Sequence, residues 1–397
     1  MQAATAEWPL ELRIVPGRGR GLFAARDIAA GETVLAERPL LLVVSPEYRD
    51  LVCTQCLRGL GGTAALQCSA CSQARFCSEA CLQQSQLSTG NHPPLACRSA
   101  SMGPVAGLDS DEVLQLNFLL RALALRQAAA SDADALQAWN ALLSVVGDAS
   151  PDMELPVKLH QALCSTAAAA GLQASPAMTL EEVAALIKKD DLNSYGVMAP
   201  SGDGGERRIR GCGVYVHSSL VNHECLPNVA RYDSFDSPGA GNTVITIRSL
   251  HAIPAGSEVL QSYFPLNWSY SERQERCKQQ YGFECCCPRC LLESKWGPDD
   301  EEEADEREED EEMETEMDAD DDAIVTHQSN NEDPEESVQD TYQYLFIMKH
   351  MCPQTDCFGT MAPEGPGSSV YECNMCGHKR TEAEFMAELN LQQRGGP

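Results

Sequence analysis

Short apolar runs rich in β-branched residues open the chain, and similar runs return after residue 209. Leu12-Arg-Ile14-Val15, Gly31-Glu-Thr-Val34-Leu35-Ala-Glu37 and Pro39-Leu-Leu-Leu-Val-Val44 are bounded by glycine turns, which predicts short antiparallel strands. Thr243-Val-Ile-Thr-Ile-Arg248 and Glu258-Val-Leu-Gln-Ser-Tyr263 predict further strands in a second β region over 209–264. Between the two regions the period changes to that of a helix. Asp109, Asp111 and Glu112 stand at the positive end of a predicted helix dipole, ahead of a leucine-rich stretch that runs to Gln127. Leu136, Trp139, Leu143 and Val146 recur at helical spacing. Thr179 and Glu182 form a capping box, with Met178 and Val183 placed for a hydrophobic staple. The pattern predicts an α+β protein in which packed helices interrupt two strand-rich halves.

With 397 residues, 43% of them hydrophobic, the chain has room for two or three domains. It has no continuous apolar run long enough to span a membrane, so none is expected to. The opening Met1-Gln-Ala-Ala-Thr-Ala-Glu-Trp8 lacks the basic and apolar regions of a secretory signal, which predicts an intracellular protein, nuclear or cytoplasmic. Charge is uneven. Residues 299–340 hold 23 acids and one arginine, a net of −22 out of −30 for the whole chain. That run predicts a disordered linker, which either aids solubility or steers basic substrates. Direct nucleic-acid binding is not expected of so acidic a chain; a basic protein partner is.

Nineteen cysteines in a reducing compartment favour metal over disulfides. Cys53-x2-Cys56, Cys68-x2-Cys71, Cys77-x3-Cys81 and His92-x4-Cys97 give enough ligands for two tetrahedral zinc sites. So short a block builds no core of its own without such staples. Cys285-x-Cys287-x2-Cys290 clusters three ligands that need a fourth from elsewhere, and Cys225 is the natural donor. Cys286 is an extra thiol that spacing does not exclude as a ligand. Cys352-x4-Cys357 and Cys373-x2-Cys376, the latter followed by Gly377, read as the knuckles of a zinc ribbon, with free surface cysteines as the plain alternative.

Asn222-His223-Glu224-Cys225-Leu226-Pro227-Asn228 joins a polar pair, a cysteine and a proline turn. Gly17-Arg18-Gly19-Arg20-Gly21-Leu22-Phe23-Ala24 precedes it; Ser262-Tyr263 and Tyr281-Gly-Phe283-Glu-Cys285-Cys-Cys287-Pro-Arg-Cys290 follow. With the first cysteine block, these segments resemble the SET and MYND family of protein-lysine methyltransferases over about 1–293. The resemblance implies a mainly-β SET fold in two parts, 1–50 and 190–264, split by a MYND zinc finger at 53–97 and a helical insert at 100–189. A post-SET segment at 265–293, the acidic linker at 299–340 and a ribbon-like module at 341–390 would complete the chain. It also implies Cys53, Cys56, Cys77 and Cys81 on one zinc, and Cys68, Cys71, His92 and Cys97 on another. The set Cys225, Cys285, Cys287 and Cys290 would hold a post-SET zinc that draws the downstream segment over the active site. Many family members carry a helical repeat domain at the C-terminus, and this chain has the acidic run and the ribbon-like cysteines instead. The family's finger grips proline-rich peptides; here the loop 82–91 is longer and His92 is followed by Pro93-Pro94.

By the same resemblance, Arg18, Gly19 and Arg20 contact the methionine end of S-adenosylmethionine, and Asn222 and His223 its amino and adenine groups. Tyr281 and Phe283 either stack against the adenine or close the lysine channel. Tyr263 is the catalytic residue. Methyl transfer needs a neutral amine, yet a free lysine is neutral only about 0.04% of the time at pH 7. A narrow apolar channel and a nearby sulfonium both disfavour the ammonium, and a tyrosine hydroxyl with backbone carbonyls can hold the amine in line. Glu224 replaces the serine usual between the histidine and cysteine, and Pro265 stands where an acid is common. The expected activity is transfer of a methyl group to lysine of a histone or another basic protein, such as a ribosomal one. The alternative is a catalytically silent scaffold whose zinc modules recruit partners.

Overall fold

The computed structural model describes residues 8–61, 65–103, 105–147, 152–171, 178–199, 208–233, 236, 241–296 and 334–394. The chain opens with a hairpin, β1 (Leu10–Val15) against β2 (Gly19–Ala24), and continues through β3 (Thr33–Glu37) and β4 (Leu41–Val44). Gly17 and Gly19 take positive φ, +77° and +79°, in the hairpin turn, a conformation that costs glycine little. A cysteine-rich block follows, with the two-stranded β5 (Leu66–Gln67) and β6 (Arg75–Phe76), and the short helices α1 (Glu79–Ser85) and α2 (Pro94–Ala100).

Four longer helices come next: α3 (Ser110–Ala128), α4 (Ala133–Ser144), α5 (Glu154–Ala169) and α6 (Leu180–Asn193). Asp109 and Glu112 close a capping box on α3, and Thr179 and Glu182 close one on α6. Met178 and Val183 are buried in the same cluster as Leu119, Leu123, Leu159 and Leu163, so the N-terminus of α6 is anchored to the centre of the helical layer. The last of these helices, α6, continues past residue 189 to Asn193. Helix α5 has no counterpart in the sequence reading. Its buried stripe, Pro156, Leu159, Leu163, Thr166 and Ala167, packs on α3 and α6.

The chain then returns to strands: β7 (Ser194–Met198), β8 (Ile209–Val214), β9 (Asn222–His223), β10 (Val229–Asp233), β11 (Ile245–Ser249) and β12 (Leu260–Gln261). One sheet has the order β3-β11-β10-β12-β9, and a second has β4-β8-β7. Strands from before and after the insertion therefore pair directly, β3 with β11 and β4 with β8. The β3 and β11 side contributes Val34, Leu35 and Ile247 to a buried core with Leu22, Val229 and Val259. Strands β9 and β12 run parallel, with Asn222 opposite Leu260 and His223 opposite Gln261. That pairing brings the Asn-His segment beside the segment that leads into Tyr263.

Beyond the sheets lie α7 (Tyr270–Arg276), α8 (Pro288–Glu293) and α9 (Pro334–His350), then the three-stranded β13 (Met361–Pro363), β14 (Val370–Cys373) and β15 (Lys379–Thr381), and α10 (Glu382–Arg394). The expected disordered stretch 299–340 needs correction at its end, since α9 begins at Pro334. Phe346, farther along the same helix, is buried with Ala230, Tyr232, Leu250, Leu266 and Ala362, and such packing overrides local composition. The rest of the acidic run, 299–333, lies outside the described residues.

Burial beneath the second sheet gives one testable consequence. The Asp190 carboxyl, at the end of α6, is pushed up to about 7, chiefly by burial; the Ser194 hydroxyl donates to it and opposes that shift. A carboxyl whose folded pKa exceeds its ordinary 3.8 makes the native state bind more protons than the unfolded state. Stability should thus fall as pH rises from about 4 to about 7. Asp190→Asn is expected to flatten that slope and to raise stability at pH 8, by up to about 4 kcal/mol. Denaturant melts of both proteins from pH 4 to 8 check this, and parallel slopes would refute it.

Candidate active site and cysteine centres

The hairpin β1–β2 lies against the Asn-His segment through a set of short polar contacts. Asn222 Nδ2 donates to the Arg20 carbonyl at 3.1 Å and to Glu258 Oε1 at 2.8 Å. Arg18 reaches across to donate to the His223 carbonyl at 2.8 Å and pairs with Glu258 Oε2 at 3.3 Å. At Gly21 a Cβ would stand 2.6 Å from Glu258 Oε1 and 2.9 Å from Asn222 Nδ2, so any larger residue would push those two side-chain ends aside. Beyond Gly17 and Gly19, by contrast, the Cβ positions face open space. The Arg20 guanidinium turns away from this cluster and donates to the Ser144 carbonyl at 2.8 Å, at the end of α4.

His223 is buried, and burial lowers its pKa to about 4, so the ring is neutral near pH 7. Its Nδ1 accepts from the Tyr263 backbone N–H at 3.2 Å, which leaves the proton on Nε2, 3.3 Å from Cys225 Sγ. The imidazole thus ties together β9, the tyrosine segment and the third cysteine cluster. Tyr263 Oη donates to the Val221 carbonyl at 3.2 Å. Its ring lies 5.2 Å from His223 and 4.8 Å from Tyr281, and Phe283 lies 6.3 Å beyond Tyr281. Burial raises the Tyr263 hydroxyl well above its ordinary range, which keeps it a neutral donor and acceptor.

Tyr263 and Tyr281 open onto a cleft of about 370 Å³ that also exposes Tyr195, Gln261 and Asp191. Phe283 is half-exposed and stands outside that cleft, 6.2 Å from His223. Sequence reasoning missed Tyr195. Its hydroxyl donates to the Ser218 carbonyl at 2.8 Å and accepts from Gln261 Nε2 at 2.8 Å, and burial pushes its pKa up to about 12. A tyrosine in a short strand carries no local mark of such a role. Glu258 was missed as well, although it is the acceptor that fixes both Arg18 and Asn222.

The cysteines gather into four tetrads: Cys53, Cys56, Cys77 and Cys81; Cys68, Cys71, His92 and Cys97; Cys225, Cys285, Cys287 and Cys290; Cys352, Cys357, Cys373 and Cys376. Within each, the ligand atoms lie within 4.8 Å of one another. A tetrahedral zinc with bonds of about 2.3 Å places sulfurs about 3.8 Å apart. The observed separations include 3.7 Å for Cys56–Cys77, 3.7 Å for Cys68–Cys97, 3.5 Å for Cys225–Cys290 and 3.6 Å for Cys357–Cys373. Those spacings fit metal and are far too long for disulfides. Burial lowers His92 to about 4, the neutral form a metal needs, with its Nε2 3.4 Å from Cys71 Sγ. Cys286 is exposed and lies outside the third tetrad. The Arg273 guanidinium stands 3.9 Å from Cys290 Sγ, where it would offset the charge that four thiolates bring to one divalent ion.

No helix among the described residues is long and apolar enough to cross a membrane. The family model for the SET domain matches residues 19–264. The chain is 37% identical to the histone-lysine N-methyltransferase ASHR2 of Arabidopsis thaliana, over 94% of this chain and 96% of that one. It is 28% identical to the human histone-lysine N-methyltransferase SMYD3 over 70% of its length, covering 60% of the relative. With the human protein-lysine N-methyltransferase SMYD4 it shares 24% identity over 74% of its length and 47% of that protein's. The solved SET domain of LSMT aligns over 71% of this chain and 54% of its own, at 16% identity and a TM-score of 0.32, too low to argue from. A SET domain model that covers more than half of the chain, and a relative matched almost end to end, place this protein in the SET-domain family of protein-lysine methyltransferases.

Proposed function

We propose that this chain transfers a methyl group from S-adenosylmethionine to lysine side chains of other proteins, with Tyr263 as the catalytic residue. The observation that carries the reading is the cleft at Tyr263, set beside the polar cluster of Arg18, Asn222 and Glu258. That cluster fits the amino-acid end of the cofactor. Arg18 offers a cation for its carboxylate. The Asn222 side-chain oxygen keeps an acceptor for its ammonium, since only the amide nitrogen is spent on Arg20 and Glu258. Gly19 leaves main chain open to close approach. Arg20 serves through its backbone carbonyl on Asn222 while its guanidinium braces the helical layer.

Bound S-adenosylmethionine supplies an electrophilic methyl on a sulfonium. The chain's own residues prepare the amine. Desolvation in the cleft lined by Tyr195, Tyr263 and Tyr281 disfavours the ammonium, and the hydroxyls of Tyr195 and Tyr263, held by the Ser218 and Val221 carbonyls, offer oxygens that orient the amine. Water carries the released proton through the open side of the cleft. His223 acts from behind, holding the Tyr263 backbone in register. Tyr281 closes the lysine channel, and Phe283 takes the cofactor side of the same aromatic row. The first two tetrads make the MYND-type finger over 53–97, where a proline-rich peptide would dock. The third is the post-SET site within 265–293, and the fourth is the ribbon within 341–390. Residues 1–50 and 190–264 form the two SET parts around the helical insert. Histones and ribosomal proteins are the substrates whose charge suits this acidic chain.

The test is transfer of tritium from labelled S-adenosylmethionine into a histone mixture and a ribosomal protein fraction. Labelled protein bands with folded, zinc-loaded enzyme are expected; none in either mixture would refute the reading. A second expectation concerns the cofactor cluster alone. Gly21→Ala forces Glu258 off Asn222, and cofactor affinity should drop at least about tenfold, with a change in thermal stability of no more than about 1 kcal/mol. Calorimetric titration of both proteins decides it, and unchanged affinity would exclude the cluster as a cofactor contact.

A further inference from the structure

We propose that the C-terminal cysteine module forms one wall of the substrate cleft, where Phe358 and Met375 receive an apolar side chain that flanks the target lysine. The inference rests on the reading of Tyr263 above. The cleft that Tyr195, Tyr263 and Tyr281 line is lined as well by Phe358, Thr360, Asn374 and Met375, all from the segment that carries the fourth tetrad.

That segment is fastened to the sheet rather than laid loosely on it. Asn374 Nδ2 donates to the Arg231 carbonyl at 2.8 Å, and Tyr232 Oη donates to the Glu372 carbonyl at 2.8 Å. Arg248 pairs with Glu372 at 3.1 Å while its guanidinium sits 3.9 Å above the Tyr232 ring. Gly31 has no room for a Cβ, which would fall 2.5 Å from the Gly365 carbonyl oxygen. Phe346 of α9 adds an apolar anchor against Tyr232 and Leu266. Strand β10, which carries Arg231 and Tyr232, pairs with β12 just before Tyr263, so one strand links the module to the reactive residue.

The two apolar residues each follow a cysteine knuckle closely. Phe358 comes directly after Cys357, and Met375 lies between Cys373 and Cys376. Metal at this tetrad would therefore set where both side chains stand. Thr360 and Asn374 lock the knuckles together, the Thr360 N–H donating to Asn374 Oδ1 at 2.8 Å. Phe358 is 54% exposed, an aromatic ring on the lining of the cleft. Such rings anchor partners in binding surfaces, and a methionine beside one adapts to varied apolar shapes. Of the charged groups on the lining, Arg231 is paired with Asp233 at 2.6 Å, and Asp191 accepts from Gln115 Nε2 at 3.1 Å. The occupant this describes is a substrate segment with a lysine for the tyrosines and an apolar neighbour for the module.

The experiment uses the full chain, zinc-loaded, as wild type, Phe358→Ala, Phe358→Leu and Met375→Ala. Lysine peptides carry leucine, glycine or aspartate at each position from three before to three after the lysine, built on a sequence the wild type labels. At one position, wild type is expected to favour leucine over glycine by about tenfold in kcat/KM. Phe358→Ala and Met375→Ala should each erase most of that gap through KM, with cofactor affinity retained, and Phe358→Leu should restore part of it. A wild type that labels protein but shows no apolar preference, or variants that keep the preference, would overturn this inference alone. A wild type that labels no protein would overturn the methyltransferase reading itself, and this inference with it.

Discussion

Replacing Tyr263 by phenylalanine should lower kcat by about 10²-fold or more while cofactor affinity stays within about twofold. The substitution is unusually clean. Phenylalanine keeps the ring between His223 and Tyr281, and the backbone N–H of residue 263 still donates to His223 Nδ1. What goes is one oxygen, now held by the Val221 carbonyl, at the bottom of the cleft. None of the Arg18, Asn222 and Glu258 contacts passes through that oxygen, so the proposed cofactor cluster is untouched. Single-turnover label transfer gives the rate, and calorimetry gives the affinity. A kcat within tenfold of wild type would remove Tyr263 from its role, and loss of cofactor binding would make it structural.

The parts of this site that could be read from the sequence are those that local spacing determines. Closely spaced cysteines marked the ligand pairs, while the interleaving of Cys53 and Cys56 with Cys77 and Cys81, and of Cys68 and Cys71 with His92 and Cys97, came from the family resemblance. The capping box at Thr179 and Glu182 was visible from spacing, since its geometry spans a single turn. Spacing could not decide between Cys286 and its neighbours, because adjacent residues at the start of a short helix differ only in direction. Burial separates them: Cys285, Cys287 and Cys290 point inward and Cys286 outward. Contacts made across the sheets left no trace in the sequence. Tyr195 reaches Gln261 only because β7 and β12 converge on one cleft, and Arg20 finds Ser144 only once α4 packs against the hairpin. The docking of the last module on Tyr232 and Arg248 is of the same kind, since nothing local in either segment announces it.

Loss of the third tetrad should be more damaging than loss of any other single group. Cys290→Ala is expected to abolish transfer, to weaken cofactor binding at least tenfold and to release about one equivalent of zinc. Cys225 lies two residues after His223, and its partners Cys285, Cys287 and Cys290 sit on a segment that pairs with none of the sheets. The tetrad and a buried ion cluster therefore hold that segment. In the cluster, Arg273 and Arg289 both bond to Glu293, and Arg289 also donates to the Leu266 carbonyl at 2.7 Å. Structural zinc sites contribute roughly 10–16 kcal/mol of apparent binding energy in small peptides, more than such a cluster can replace. Without the metal, Arg273 also loses the negative centre it faces, and Tyr281 and Phe283 lose the anchor that follows them in the chain. Cys286→Ser is the matched control: its thiol is exposed and outside the tetrad, so full zinc content and activity are expected. Zinc measured per mole of protein, beside calorimetry and label transfer, separates the outcomes. Equal zinc loss in both variants would put Cys286 among the ligands, and full activity in Cys290→Ala would show that the segment is held without its metal.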